Sequence, residues 1–127
     1  MTRRGRHLDS LPLWLDRDGQ TPWGTADDVH AFAEGIAFVS TPSHGGYYVS
    51  PALNARIPAV LRNRQFAKSA LGGGGWYEED IEWASVALTY PDVFPSRALF
   101  YAIMAADHFN MLTVDQCREL LRFGMVR

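Results

Sequence analysis

Ser40-Thr41-Pro42-Ser43-His44-Gly45-Gly46-Tyr47 sets hydroxyls, one imidazole and two glycines between two apolar runs. These are the residue types of a nucleophile with its general base, in which His44 takes a proton from Ser43 or Ser40 while glycine amides stabilise an oxyanion. Residues adjacent in sequence rarely point at each other, and a working base needs a third group to orient it. The sequence fixes no such partner. A glycine-closed hairpin whose hydroxyls bond backbone amides accounts for the same residues with fewer requirements.

The second chemically dense stretch runs from Gly72 to Trp83, four glycines followed by Trp76-Tyr77-Glu78-Glu79-Asp80-Ile81-Glu82-Trp83. Its carboxylates are alternative acid/base partners for His44, which makes His44, Ser43 and Glu79 the catalytic set if the protein is an enzyme. The glycines do not form a phosphate loop, because no Lys-Ser or Lys-Thr follows them; they read as a hinge presenting Trp76 and Tyr77. Metal ligation is not expected. His7, His30, His44 and His108 are scattered, Cys117 is alone, and Glu78, Glu79 and Asp80 as consecutive helical residues would splay about 100° apart. No cofactor is implied. Trp76, Tyr77 and Trp83, with Tyr47 and Tyr48, edged by Glu78, Glu79 and Glu82, also have the composition of a partner-binding surface. The residues expected to meet the partner are Ser43, His44, Tyr47, Trp76, Tyr77, Glu78, Glu79, Asp80 and Glu82. The competing account has the rings simply covering a sheet; the expectation is a mixture, Trp83 inside and Tyr47 and Tyr77 partly outside.

The elements that would position these residues follow from patterning. Leu11, Leu13 and Leu15 alternate into Asp16-Arg17-Asp18-Gly19, a short strand entering a hairpin. Val29 to Ala33 and Ile36 to Val39 read as adjacent strands split at Glu34-Gly35, and Tyr47-Tyr48-Val49 as a third. Ser50-Pro51 starts a short helix, followed by a basic helical piece over 59–71. Glu78-Glu79-Asp80 reads as the acidic first turn of a helix ended by Tyr90-Pro91. Ser96 caps the next helix, whose run Ala98 to Ala106 is apolar all round and marks it as the most buried. Thr113 with Gln116 forms a capping box on the last, with Leu112 and Cys117 as staple, Val114, Cys117, Leu120 and Leu121 inward, and Gly124 as terminator. The result is an α+β fold, a small antiparallel meander in the N-terminal half packed against C-terminal helices.

At 127 residues, 47% hydrophobic and 13% aromatic, the chain reads as one domain spanning 1–127, with the polar, basic 1–10 flexible. A formal charge of -2 supplies no global field for a polyanion. Arg56, Arg62, Arg64 and Lys68 still give a local basis for a third reading, nucleic-acid binding. A lone cysteine suits a reducing compartment, no apolar run approaches the ~20 residues that span a bilayer, and the basic start lacks a following apolar region. A cytoplasmic protein without membrane contact is expected.

The strings GIAFVSTPSHGGYYVSP (35–51) and GWYEEDIEWASVALTYPDVF (75–94) resemble the two blocks of an uncharacterised domain-of-unknown-function family met in bacterial, phage and plasmid genomes. The resemblance covers residues 22–95 and implies no activity of its own. What it implies is context: small proteins on mobile elements are often accessory proteins that counter host defence. The functional expectation is therefore a non-enzymatic protein-binding module, an inhibitor of anti-CRISPR or antirestriction type that occludes a surface of a host defence complex. The alternatives are the small enzyme and the nucleic-acid-binding accessory protein. Oligomeric state is not readable from the sequence.

Overall fold

The computed structural model describes residues 11–69 and 73–124; the expectations for the N-terminal 1–10 and for the end of the basic helix at 70–72 lie outside them. The fold is α+β. A two-residue ribbon, β1 (Gln20–Thr21) with β2 (Gly24–Thr25), precedes a five-stranded sheet. The sheet contains β3 (Asp28–Ala33), β4 (Ile36–Ser40), β5 (Gly45–Val49), β6 (Ala67–Lys68) and β7 (Gly75–Glu78), in the order β3-β4-β5-β7-β6 with every pair antiparallel. One-turn helices α1 (Pro51–Asn54) and α2 (Ala59–Arg62) lie between β5 and β6. Helices α3 (Trp83–Thr89), α4 (Ser96–His108) and α5 (Val114–Phe123) follow β7.

Successive strand residues point to opposite faces, so each central strand feeds two cores. Ile36, Val49 and Tyr77 join Val86, Leu88, Ala102, Ala106, Cys117 and Leu120 under the helices. Ala37, Val39, Tyr48 and Trp76 turn the other way and are covered by Leu11, Leu15 and Ala26, with Trp14 and Trp23 partly buried against them. Double coverage explains why β4 is apolar at nearly every position, the pattern of a strand buried on both faces.

The three strands over 28–49 form where alternation puts them, with Gly35 supplying the positive φ (78°) of the turn between the first two. The N-terminal strand does not form. Leu15 N–H donates to the Pro12 carbonyl at 3.0 Å, closing a turn that buries Leu11 and Leu15 and leaves Leu13 82% exposed. A three-residue alternation is equally compatible with the i, i+4 spacing of a turn, and packing onto Tyr48 and Trp76 decides between them.

The basic helix expected over 59–71 stops at Arg62, and Ala67–Lys68 becomes the edge strand beside β7. Gly74 and Gly75 are buried in close packing, which does not suit the hinge expected of them. A Cβ on Gly75 would sit 2.6 Å from Asn54 Oδ1 and 2.2 Å from Gln65 Oε1, so residue 75 is glycine because side chains cross its backbone at contact distance. Nor do Glu78, Glu79 and Asp80 open a helix: Trp76-Tyr77-Glu78 is strand, and α3 starts only at Trp83.

Burial among the helices is the reverse of the expectation. Five of the seven residues of α3, Ala84 to Leu88, are buried. In α4 only Ala102 and Ala106 are, while Phe100, Tyr101 and Met104 are 62%, 60% and 53% exposed. Ala102 and Ala106 face the core with Leu99 and Ile103 packed partly buried beside them, while Phe100, Tyr101 and Met104 face outward. Ser96 is the first residue of α4 and makes no capping bond there. On α5 the capping box forms in both directions and Gly124 ends the helix at φ 71°, but Val114 is exposed.

Candidate functional site

The turn between β4 and β5 is tied by Thr41, a residue not singled out in the sequence. Its N–H donates to the His44 carbonyl at 2.8 Å, its hydroxyl lies 2.7 Å from the same oxygen, and it accepts from the His44 N–H at 3.1 Å. This is the hydroxyl-braced turn that competes with a catalytic reading. Ser43 and His44 are left exposed at its tip, and among the described residues no side chain is hydrogen-bonded to the His44 imidazole.

Sheet register then brings distant residues to this end. Gly46 pairs with Glu78 across β5 and β7, and Glu79 N–H donates to the Gly45 carbonyl at 3.0 Å. On the other side Asp28 pairs with Ser40, and Asp27 N–H donates to the Ser40 carbonyl at 2.8 Å. The two chemically dense stretches are therefore neighbours. Phe38, Ser40, Ser43, His44 and Glu79 line one shallow depression of about 140 Å³. Two larger clefts, about 570 and 560 Å³, lie beside Lys68 and Ser69, and none of Ser43, His44 or Glu79 lines either.

The remaining predicted site residues divide by exposure. Asp80 is exposed, as are Asp27 and Asp28, neither of which was expected at the site. Trp76 (3% exposed) and Tyr77 (0%) are core residues on opposite faces, so Tyr77 is not partly outside as expected. Tyr77 donates its hydroxyl to Asn54 Oδ1, and burial pushes its pKa up. Tyr47 is half-buried among Phe32, Phe38 and Phe94; burial first, and the Glu79 charge second, push its hydroxyl up to about 12. Trp83 is half-buried against Phe94.

Glu78 and Glu82 are buried. Glu78 Oε2 accepts from the N–H groups of Asp80 at 2.9 Å and Ile81 at 3.2 Å, which shapes the turn after β7. Because these residues sit at a strand end rather than on a helix, one carboxylate oxygen each from Glu78, Glu79 and Asp80 falls within 4.8 Å of the others, where splayed side chains were expected. Such oxygens are hard-cation ligands by type, although Glu78 already spends Oε2 on two amides.

Burial raises the pKa of both Glu78 and Glu82; the Asp80 charge adds to the first against its amide bonds, and the Glu78 charge adds to the second. A carboxyl whose folded pKa is raised holds its proton more tightly in the fold than in the unfolded chain. Its contribution is thus fully present below the ordinary carboxylate pKa and lost as pH rises through the raised value. Folding stability attributable to this pair is expected to fall from the ordinary carboxylate range toward neutrality, and Glu82→Gln to flatten that fall. Denaturant midpoints across the range check it; an unchanged slope in the variant refutes it.

The basic residues proposed for nucleic acid are partly committed elsewhere. Arg62 Nη1 donates to the Ala55 and Ile57 carbonyls, both at 2.9 Å. Arg64 donates to the Phe109 and Asn110 carbonyls just past the end of α4, where unpaired helix-terminal carbonyls favour a cation.

No helix of the described residues is long and apolar enough to cross a membrane. A family model described as "Domain of unknown function (DUF7007)" matches residues 16–118, which takes in both dense stretches and most of the helical layer. No curated protein and no solved structure matches the chain.

Proposed function

We propose that this chain, which belongs to the DUF7007 family of domains of unknown function, is a non-enzymatic protein-binding module that meets a basic partner surface with the acidic end of its sheet. One observation supports this most: strand register collects four exposed carboxylates, Asp27, Asp28, Glu79 and Asp80, around the exposed Ser43-His44 tip. Among the described residues none of the four forms an ion pair with lysine or arginine. A local negative field of this kind steers association with a positively charged surface and weakens as salt rises. Trp76 and Tyr77 lie in the core, so the contact is polar and these two rings are not anchors in it.

A basic surface that ordinarily holds nucleic acid is the natural target of such an edge. The resemblance to a family met in bacterial, phage and plasmid genomes supports a host defence effector, of CRISPR or restriction type, as that target and the module as its inhibitor. Affinity capture from host lysate is the test. The wild-type chain is expected to retain a nucleic-acid-binding complex, with retention falling about tenfold or more on Glu79→Lys/Asp80→Lys and on raising salt. Equal capture by a variant that melts like wild type, or capture indifferent to salt, rules the reading out.

Catalysis by His44 with Ser43 and Glu79 has their shared depression in its favour. At about 140 Å³ it is well below the roughly 300–1,000 Å³ of pockets that enclose small molecules. Among the described residues the imidazole also has no hydrogen-bonded orienting partner of the kind general-base chemistry requires. Binding is the reading better supported.

A further inference from the structure

We infer that the outer face of α4 is a self-association surface, two copies packing this helix against itself antiparallel about a two-fold axis at the level of Ala102. At 100° per residue, Arg97, Phe100, Tyr101, Met104 and His108 fall on one stripe opposite the buried Ala102 and Ala106. The spacing i, i+3, i+4, i+7 is that of the anchors by which one helix docks on another. The Phe100 and Tyr101 rings touch edge-on at 5.8 Å, so they form one patch. Their exposure leaves on the order of 300–400 Å² of apolar surface open with Met104, the size at which a surface patch is commonly functional.

Charge placement selects a second copy, and its direction. Exposed Arg97 lies in the first turn of the helix and exposed Asp107 in the last, one on each side of the apolar centre. Antiparallel pairing about the midpoint sets Phe100 of each copy against Met104 of the other and brings each Arg97 to the other copy's Asp107. It also opposes the two helix dipoles. Parallel pairing would stack Arg97 on Arg97 and Asp107 on Asp107. A two-fold contact of this kind is self-complementary and closes at two copies. The patch is below the roughly 800 Å² per partner of a standard interface, so the dimer is weak and concentration-dependent. This inference stands on residues separate from the acidic end and does not depend on that surface having a partner.

Sedimentation velocity over about a hundredfold range of concentration tests it on the full chain. The weight-average sedimentation coefficient is expected to climb toward the dimer value, and Met104→Glu, at a half-exposed position, to hold it at the monomer value without changing the melting curve. Arg97→Glu and Asp107→Arg are each expected to weaken the dimer and, combined, to restore it. A monomer at every concentration, a dimer indifferent to Met104→Glu, or a double charge swap that restores nothing overturns the inference.

Discussion

Trp76→Ala is expected to lower folding stability by about 3–5 kcal/mol, the range for truncating a buried tryptophan. The ring is 3% exposed and contacts Tyr48 at 5.1 Å, Trp23 at 5.7 Å and Trp14 at 6.1 Å between centroids. It therefore joins the N-terminal turn and the sheet in one cluster, and removing it leaves Trp14 and Trp23 packed on a void. Against a typical total of about 5–15 kcal/mol, that loss takes a large share of the fold's stability. A role as a partner-binding anchor makes the opposite prediction: unchanged stability with lost binding. Denaturant midpoints separate the two. A variant within about 0.5 kcal/mol of wild type would remove Trp76 from the core.

Gly46→Ala is the second substitution with a large expected effect. A Cβ there would lie 2.5 Å from the Tyr77 carbonyl oxygen and 2.3 Å from the end of the Trp23 ring. The ring has room to tilt outward, since Trp23 is only half-buried. The carbonyl has none, because it belongs to the strand paired with β5. Relief requires β5 and β7 to separate, and about 3 kcal/mol or more is the expected cost of such overpacking. Because this pairing is what sets Ser43-His44 beside Glu79-Asp80, the same substitution should loosen the acidic end, seen as faster amide exchange in 45–49 and 75–78. Ser43→Ala, at the exposed tip of the same turn, is the control and should change stability by less than about 0.5 kcal/mol. Gly46→Ala behaving like Ser43→Ala would refute the close approach.

Several elements were legible because their causes lie within a few residues. Alternation with a glycine between two runs specified the hairpin of β3 and β4. The reciprocal Thr113–Gln116 cap and the left-handed Gly124 bounded α5 as expected. The Ser43 turn is the braced hairpin its residue types imply, although its bracing hydroxyl belongs to Thr41. Where two local patterns fit equally well, long-range pairing decided between them. Acidic residues after Trp76-Tyr77 suit a helix start, yet the same aromatic pair suits a strand, and only pairing of Tyr48 with Trp76 and of Tyr47 with Tyr77 decides. The all-apolar run of α4 likewise contained no sign that Ala102 and Ala106 would meet the core while Phe100, Tyr101 and Met104 would face outward.

The sequence by itself determined the α+β class, the antiparallel order of β3, β4 and β5, the terminal helix with both its caps, and the turn that exposes Ser43 and His44. Each follows from hydrogen bonds and side-chain alternation among residues close in the chain. Only the tertiary structure decided that β7 inserts beside β5 and that Trp76 and Tyr77 face opposite cores. It also decided that Asp27, Asp28, Glu79 and Asp80 share one end of the sheet. Those outcomes depend on register between segments more than 25 residues apart. A one-residue shift in that register would turn every side chain of β7 to the other face, and nothing local distinguishes the alternatives.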